Sequence, residues 1–283
     1  YNIKNSSWET VRVVEDNADF ISRNEAFTTG DVTFDKLEVN GTELNYYMIK
    51  PASFNDSTKY PLFMHVYGGP GSQTVKNSFG WSNYYWHQML ANKHNIIIVS
   101  VDNRGTGAKG EEFKKMTYQQ LGKYETQDQI AAARSFGELA YIDSNRIGIW
   151  GWSYGGYMSS LALAKGNDVF KMAIAIAPVT NWRFYDNIYT ERFMGLPQDN
   201  AEGYDNNSPI NFVKDIKGKY LIVHGTGDDN VHFENTVMMV DELIKNNIPF
   251  DSEFYPNKNH GIYGGYTRLH LYNKMTNFVI ENL

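Results

Sequence analysis

The chain has 283 residues, a formal net charge of −6 and no cysteine. A chain of this length can bury about three quarters of its unfolded surface, so one large domain, or one domain with a small appendage, is expected. The net negative charge argues against nucleic acid or an anionic membrane as partner, because both bind proteins through clustered Lys and Arg. The lack of cysteine excludes disulfides and cysteine nucleophiles.

The first 31 residues are polar and contain one alternating stretch, WETVRVVEDN, which could form a single strand. We interpret residues 1–31 as a linker or a leftover of something that precedes it. There is no initiator Met and no charged segment followed by an apolar one, so we expect no signal peptide here. Apolar stretches such as IIIVSV have the length of a strand and are far too short to span a membrane.

Strand and helix patterns alternate from there on. FDKLEV and ELNYYMIK predict two strands that flank a two-residue turn at Asn40-Gly41, where both positions tolerate a positive φ. The remaining predicted elements are the strands YPLFMHVYGG, NIIIVSVDN, RIGIW, MAIAIAP, GKYLIVHG and FDSEFYP, and the helices NYYWHQMLANK, TQDQIAAARSFGELA with a Thr126 cap, YMSSLALAKG, FENTVMMVDELIKN and RLHLYNKMTNFVIENL. Apolar strands separated by helices predict an α/β fold whose central sheet is mostly parallel, with helices on both faces.

One serine stands out in the stretch RIGIWGWSYGGYM. Ser153 lies between Gly151 and Gly155, after a predicted strand and before a predicted helix. This is the context of a nucleophile elbow, a turn so tight that side chains at the flanking positions would clash. We therefore predict that Ser153 is a catalytic nucleophile with its oxygen exposed at the start of the helix.

A nucleophilic serine needs a histidine base, which should follow it in the chain. Only His224, His232, His260 and His270 come after Ser153. We interpret His224, in a predicted strand, and His270, on the last predicted helix, as packed or solvated residues. His260 lies in the loop PNKNHGIYGG after a predicted strand, where a catalytic imidazole can be exposed, so it is the candidate base.

The acid and the oxyanion hole have candidates at two further strand ends. Asp228 and Asp229 follow the strand GKYLIVHG, and their spacing does not choose between them. One oxyanion donor is expected to be the backbone N–H of Tyr154, directly after the nucleophile. The hydroxyl of Tyr67, in the loop HVYGGPGSQ, is a candidate second donor; Tyr67 could equally be an aromatic residue that ends a buried strand.

Cofactors and metals are not expected. Gly105, Gly107 and Gly110 form a G-x-G-x-x-G, but no clean amphipathic helix and no strand with an acidic end follow it at the distance that dinucleotide binding requires. Metalloprotease motifs and zinc-type clusters are absent from the sequence.

Several segments resemble the catalytic domain of the dipeptidyl peptidases in the prolyl oligopeptidase family of serine peptidases. They are VYGGPGSQ, DNRGTG, GWSYGGYM, APVTNWRFYDNIYTERFMGLP, HGTGDDNVHF and NHG. The likeness runs from about Val32 to Leu283, and WETVRVVEDN resembles the end of the β-propeller that precedes this domain in the family. The resemblance implies an α/β-hydrolase fold over residues 32–283, with residues 1–31 as the propeller end and linker.

The resemblance also implies roles for individual residues. Ser153 matches the nucleophile, Asp228 the acid, His260 the base, and Tyr67 the second oxyanion donor beside Tyr154. Further positions match the pocket for the proline or alanine next to the scissile bond: Val179, Trp182, Tyr185, Tyr189, Tyr154 and Val231. Asn230 matches a residue that binds the carbonyl of the preceding residue. On sequence alone, the aromatic segment VTNWRFYDNIY could instead be an amphipathic helix with an aromatic core face.

The implied activity is release of Xaa-Pro or Xaa-Ala dipeptides from peptides with a free N-terminus, through an acyl-enzyme. In the dipeptidyl enzymes that the chain resembles, a glutamate pair on the propeller binds the free amine, and we expect that domain to be missing from this chain. A homodimer with contacts on the last helix, and a parent protein in the periplasm or at the cell surface, are further expectations of kinship. The alternatives are an acylaminoacyl peptidase or oligopeptidase of the same family, an esterase, and a catalytically silent interaction module.

Overall fold

The computed structural model describes residues 12–78 and 81–283, and the backbone of two short antiparallel strands, β1 (Asn2–Lys4) and β2 (Ser7–Glu9). The longer strand expected for WETVRVVEDN is not formed over residues 12–17, which are irregular; residues 10 and 11 lie outside the described residues. An alternating stretch needs a neighbouring strand to pair with, and residues 12–17, the part of this stretch after β2 that the structure describes, pair with none. Helix α1 (Ala18–Glu25) follows, and none of its residues is buried.

Eight strands form the central sheet of the described residues. They are β3 (Val32–Val39), β4 (Thr42–Ile49), β5 (Tyr60–Val66), β6 (Ile97–Asp102), β7 (Ile142–Trp152), β8 (Met172–Ile176), β9 (Lys219–Gly225) and β10 (Asp251–Tyr255). The spatial order is β10-β9-β8-β7-β5-β6-β4-β3. Strands β5 to β10 pair in parallel, and only β3 and β4 are antiparallel to their neighbours. The predicted mostly parallel sheet is confirmed, as is the turn at Asn40-Gly41, whose φ angles are 52° and 69°.

Helices cover both faces of this sheet, as predicted. The helices are α2 (Tyr84–His94), α3 (Glu111–Lys115), α4 (Lys123–Gly137), α5 (Tyr154–Lys165), α6 (Asn187–Met194), α7 (Ala201–Asp205), α8 (Glu234–Lys245) and α9 (Thr267–Asn282), with 3-10 turns at Trp182–Phe184 and Pro209–Asp215. Apolar residues of α4, α5 and α8 bury against one face of the sheet, and those of α2 and α9 against the other. Within the described part of the chain, no helix is long and apolar enough to cross a membrane.

Helix α4 begins one turn earlier than predicted. Its N-cap is Gly122, with a φ of 85°, and Thr126 lies inside the helix and is buried. The prediction of a Thr126 cap was wrong because glycine, without a Cβ, adopts the left-handed conformation that lets the chain enter the helix sooner. The earlier start places Glu125 in the first turn.

Candidate active site

The candidate catalytic residues all lie in loops at one edge of the sheet. Tyr67 follows β5, Ser153 follows β7, Asp228 follows β9 and His260 follows β10. Parallel pairing places the carboxyl ends of these strands at the same edge, where ligand chemistry collects in α/β proteins. The indole Nε1 of Trp152 donates to the carbonyl oxygen of His260 at 2.9 Å, so the histidine loop is bonded to the residue next to Ser153.

Ser153 has strained backbone. Its φ of 61° and ψ of −118° lie outside the regions that a non-glycine residue normally adopts. A Cβ at Gly151 would lie 2.2 Å from the Gly155 carbonyl oxygen, and one at Gly155 would lie 2.2 Å from the Val66 carbonyl oxygen. Both glycines are therefore needed for this turn. The Ser153 N–H donates to the Ile176 carbonyl at 2.8 Å, which helps to hold the strained residue in place.

Asp228, and not Asp229, contacts the candidate histidine. The Oδ2 of Asp228 lies 2.7 Å from the Nδ1 of His260. Its Oδ1 accepts hydrogen bonds from the N–H groups of Asn230 and Val231 at 2.9 and 3.1 Å. Asp228 is buried, whereas Asp229 is exposed. The tertiary structure thus separates two aspartates that are adjacent in the sequence.

His224 is a residue that sequence reasoning set aside. It is fully buried, and its Nε2 lies 3.2 Å from Asp228 Oδ2 and 2.8 Å from the carbonyl oxygen of Val231. Its Nδ1 lies 2.7 Å from the hydroxyl of Thr236, so an imidazole protonated on Nε2 can satisfy all these partners. The signal in the sequence was a histidine four residues before the acid, at the end of the same strand.

Hydrogen bonds keep Asp228 ionised. Burial by itself would raise its pKa, but hydrogen bonds from His224, His260 and a backbone N–H outweigh the burial and hold the pKa of Asp228 well below its ordinary value. An ionised carboxylate fixes the Nδ1–H tautomer of His260, which leaves Nε2 free to accept a proton.

The aromatic segment does not form one amphipathic helix. It divides into the 3-10 turn Trp182–Phe184 and helix α6, which begins after Asp186, whose carboxylate accepts a hydrogen bond from the N–H of Tyr189 at 2.8 Å. The Trp182 ring lies 5.4 Å from the ring of Tyr154, 5.8 Å from that of Tyr185 and 5.8 Å from that of Tyr189.

These four rings form one cluster, and one of its members, Tyr154, directly follows Ser153 in the chain. Tyr154 and Trp182 are buried, and Tyr185 and Tyr189 are half-buried. Val179 and Val231, the two aliphatic candidates for the pocket, are buried as well.

Two polar groups border this aromatic cluster. The hydroxyl of Tyr185 donates to the amide oxygen of Asn230 at 2.7 Å, which leaves the NH₂ group of this exposed side chain able to donate to a ligand. The ring of Tyr67 lies 6.0 Å from that of Tyr154. Burial raises the pKa of Tyr67, so its hydroxyl keeps its proton and can donate a hydrogen bond.

Glu125 is the second residue that sequence reasoning missed. It is fully buried in the first turn of α4, and its Oε1 accepts a hydrogen bond from the hydroxyl of Tyr154 at 2.7 Å. A glutamate just before the apolar face of a predicted helix was a weak signal, because such positions are usually solvated.

A mostly parallel sheet covered on both faces, with a strained serine between a strand and a helix at its carboxyl edge, defines an α/β-hydrolase. The profile of the prolyl oligopeptidase family matches residues 81–283. The chain belongs to the prolyl oligopeptidase family of serine peptidases, and the fold and the family expected from the resemblance are confirmed.

Individual relatives agree with this assignment. The chain is 44% identical to the prolyl endopeptidase FAP of Mus musculus over 274 residues, and 40% identical to dipeptidyl peptidase 4 of Felis catus over 281 residues. These matches cover 96% and 98% of the chain, and 36% of each relative. The crystal structure of dipeptidyl peptidase 4 from Porphyromonas gingivalis superimposes with a TM-score of 0.92 at 46% identity, covering 96% of this chain and 38% of that one. The chain thus spans a little over a third of the length of these proteins.

Proposed function

We propose that the chain is the catalytic domain of a serine dipeptidyl peptidase that releases Xaa-Pro or Xaa-Ala dipeptides from free N-termini. The observation that carries this proposal is the hydrogen bond between the side chains of buried Asp228 and His260. It lies at the same edge of the sheet as Ser153, whose backbone is strained. In the proposed mechanism Ser153 Oγ attacks the scissile carbonyl carbon while His260 Nε2 takes its proton. His260 then gives that proton to the leaving amine, and water releases the acyl group by the same sequence of steps.

Two donors are proposed for the oxyanion. Tyr154 is the first residue of α5, and the first N–H groups of a helix have no partner inside the helix, so its N–H can face the developing charge. The protonated hydroxyl of Tyr67, in the loop after β5, supplies the second hydrogen bond.

Replacing Tyr67 with phenylalanine should lower turnover about a hundred- to thousandfold, because it removes one oxyanion donor and keeps the ring. Steady-state kinetics with p-nitrophenyl acetate measure this on the chain itself. The control is Tyr263→Phe, a change at an exposed tyrosine of the histidine loop, which should leave turnover nearly unchanged. Normal turnover in the Tyr67 variant would assign the second donor elsewhere.

The aromatic cluster is the proposed pocket for proline or alanine. It is formed by Tyr154, Val179, Trp182, Tyr185, Tyr189 and Val231. Proline is a compact apolar ring without an N–H. Burying it in a rigid aromatic pocket is therefore favourable and leaves no N–H group without an acceptor. The free NH₂ of Asn230 is proposed to bind the carbonyl of the residue before proline.

The free amine is proposed to bind outside this chain. We assign residues 1–31 to the end of a β-propeller and a linker, and residues 32–283 to the catalytic domain. The chain spans 36% of relatives named dipeptidyl peptidase 4 and prolyl endopeptidase FAP, which supports the proposal that selection between exopeptidase and endopeptidase action belongs to the longer protein.

The test compares three substrates on this chain and on a longer chain extended upstream. They are Gly-Pro-p-nitroanilide, its N-acetylated form and p-nitrophenyl acetate. We expect the ester to react with both chains and the free-amine anilide to react with the longer chain, with acetylation abolishing that reaction. Equal reaction of free and acetylated anilides would contradict the dipeptidyl assignment and favour an acylaminoacyl peptidase or oligopeptidase.

Other outcomes separate the remaining alternatives. Cleavage of the ester but of neither anilide by the longer chain would favour an esterase. Failure of an activated organophosphate to label Ser153 would favour a catalytically silent interaction module.

We also propose that the parent protein is a homodimer in the periplasm or at the cell surface. Exposed apolar side chains on and beside the last helix support the dimer: Leu269 is 58% exposed, Ile280 46% and Tyr266 85%. The proposed location rests on the resemblance alone.

A further inference from the structure

A buried carboxyl group lies directly behind the proposed substrate pocket. Glu125 is 0% exposed, and its Oε1 accepts the hydroxyl hydrogen of Tyr154 at 2.7 Å. Tyr154 is fixed at its other end by its position next to Ser153, and its ring packs 5.4 Å from that of Trp182. The hydrogen bond from Tyr154 to Glu125 therefore determines where one wall of the pocket stands.

The second oxygen of this carboxyl group has no hydrogen-bond partner among the described residues. Oε2 of Glu125 is buried, and the nearby hydroxyl of Tyr157 donates instead to the carbonyl of Leu121 at 2.8 Å. An unpaired buried oxygen is costly when the group is charged and much less so when the group is protonated. The missing partner of Oε2 therefore favours the protonated form of Glu125.

The groups around the Glu125 side chain also favour its protonated form. Burial raises the pKa of Glu125 to about 7, although the N–H groups of Gly122 and Glu125 at the start of α4 partly offset the rise. The titratable groups that face Glu125 are Asp128 on its own helix, Tyr154 and Tyr157 on α5, and Tyr189 on α6. The charge of Asp128 is already paired, because the guanidinium of Arg104 binds it in a buried salt bridge at 2.6 Å.

We propose that Glu125 is a positioning residue that holds the Tyr154 ring in the pocket wall, and that it holds the ring more firmly when ionised. A hydrogen bond to a carboxylate is about twice as strong as one to a neutral carboxyl oxygen. The pocket is then best ordered above neutral pH, and its affinity for a compact apolar ring rises as the pH passes through about 7. The inference rests on the proposed function only in taking this aromatic cluster as the substrate pocket.

The free energy of unfolding should change with pH in the direction opposite to the ligand affinity: it should fall as the pH rises. Glu125 titrates near 7 in the folded protein and near 4.5 in the unfolded chain, so the folded state binds more protons between these values. The free energy of unfolding therefore loses the contribution of Glu125 as the pH rises from about 4.5 to about 7. Glu125→Gln mimics the protonated form at every pH and should melt at a higher temperature than the wild type above pH 7.

The experiment measures binding apart from turnover. Calorimetry in a Ser153→Ala background gives the affinity of N-acetylglycyl-pyrrolidine, a ligand without a titratable group, at about pH 6 and about pH 8.5. We expect roughly two- to tenfold tighter binding at the higher pH, and in Glu125→Gln an affinity that equals the low-pH value throughout. Glu138→Gln removes an exposed carboxylate that follows the same helix and is the matched control, with wild-type behaviour.

Infrared spectroscopy gives a readout that needs no ligand. As the pH rises, a protonated-carboxyl band should vanish with a midpoint near pH 7 in the Ser153→Ala protein, and this band should be missing in Glu125→Gln. By linkage, bound ligand should shift this midpoint to lower pH.

A glutamate in contact with water would instead lose this band near its ordinary pKa of about 4.5.

Each outcome decides the inference. Affinity that does not change with pH in the wild type, or that changes equally in Glu125→Gln, overturns the positioning role. Loss of the carboxyl band near pH 4 overturns the buried protonation equilibrium. These failures are distinct from failure of the proposed function, which would show as normal infrared and melting behaviour of Glu125 in a protein whose Ser153 does not react with esters or organophosphates.

Discussion

Replacing Ser153 with alanine should lower turnover of a prolyl anilide by the longer chain about a millionfold, as it does for other serines that act together with a histidine and an acid. Without Ser153 no acyl-enzyme can form, and the remaining hydrogen bonds accelerate only the attack of water. The fold should survive, because alanine removes one oxygen and keeps the Cβ. Steady-state kinetics and circular dichroism of the purified variants measure both effects.

Ser144 provides the matched control for this change. It is exposed and lies near the start of β7, at the opposite end of the strand that leads into Ser153. Ser144→Ala should keep wild-type turnover and should still be labelled by an organophosphate, whereas Ser153→Ala should not be labelled. A Ser153 variant that retained its activity would end the proposal that this residue is the nucleophile.

Replacing Asp228 with asparagine should lower turnover about ten-thousandfold. Asparagine has nearly the same shape, but it presents an NH₂ group or a neutral oxygen to His260 in place of a carboxylate. The imidazole then loses the partner that fixes its Nδ1–H tautomer and stabilises its positive charge during the reaction. Measurement of kcat at several pH values tests this.

The neighbouring aspartate is the natural control. Asp229→Asn removes the same charge one residue away, on an exposed side chain, and should change kcat by no more than a few fold. Equal losses in the two variants would contradict the assignment of Asp228 as the acid. Because hydrogen bonds hold the pKa of Asp228 well below its ordinary value, protonation of Asp228 does not account for a loss of activity between about pH 5 and 7 in the wild type.

Local rules predicted most elements of the fold. Near-continuous apolar runs such as IIIVSV are typical of strands in a sheet covered on both faces, and the Asn40-Gly41 pair is typical of a tight turn. The start of α4 was predicted wrongly, since the capping preference of Thr126 is weaker than the freedom of Gly122 to adopt a positive φ. The strand expected in WETVRVVEDN was not formed over residues 12–17, because alternation alone supplies no neighbour to pair with.

Contacts between side chains that the sequence pattern does not reveal account for what was missed. His224 looked like any histidine in a buried strand until the structure placed its Nε2 3.2 Å from Asp228. Glu125 looked like a solvated helix residue until the hydroxyl of Tyr154, 29 positions along the chain, was found bonded to it. The roles of buried polar groups depend on partners that sequence spacing does not reveal.

The sequence by itself determined the alternation of strands and helices, the glycines around Ser153 and the order of serine, acid and histidine, because these follow from local sterics and from burial patterns that repeat along the chain. Only the tertiary structure decided between Asp228 and Asp229, divided the aromatic segment into a turn and a helix, and placed a buried carboxyl group behind the pocket. Those choices depend on which side chains leave water and which partners they meet there, and both are set when the parallel strands bring their carboxyl ends to one edge.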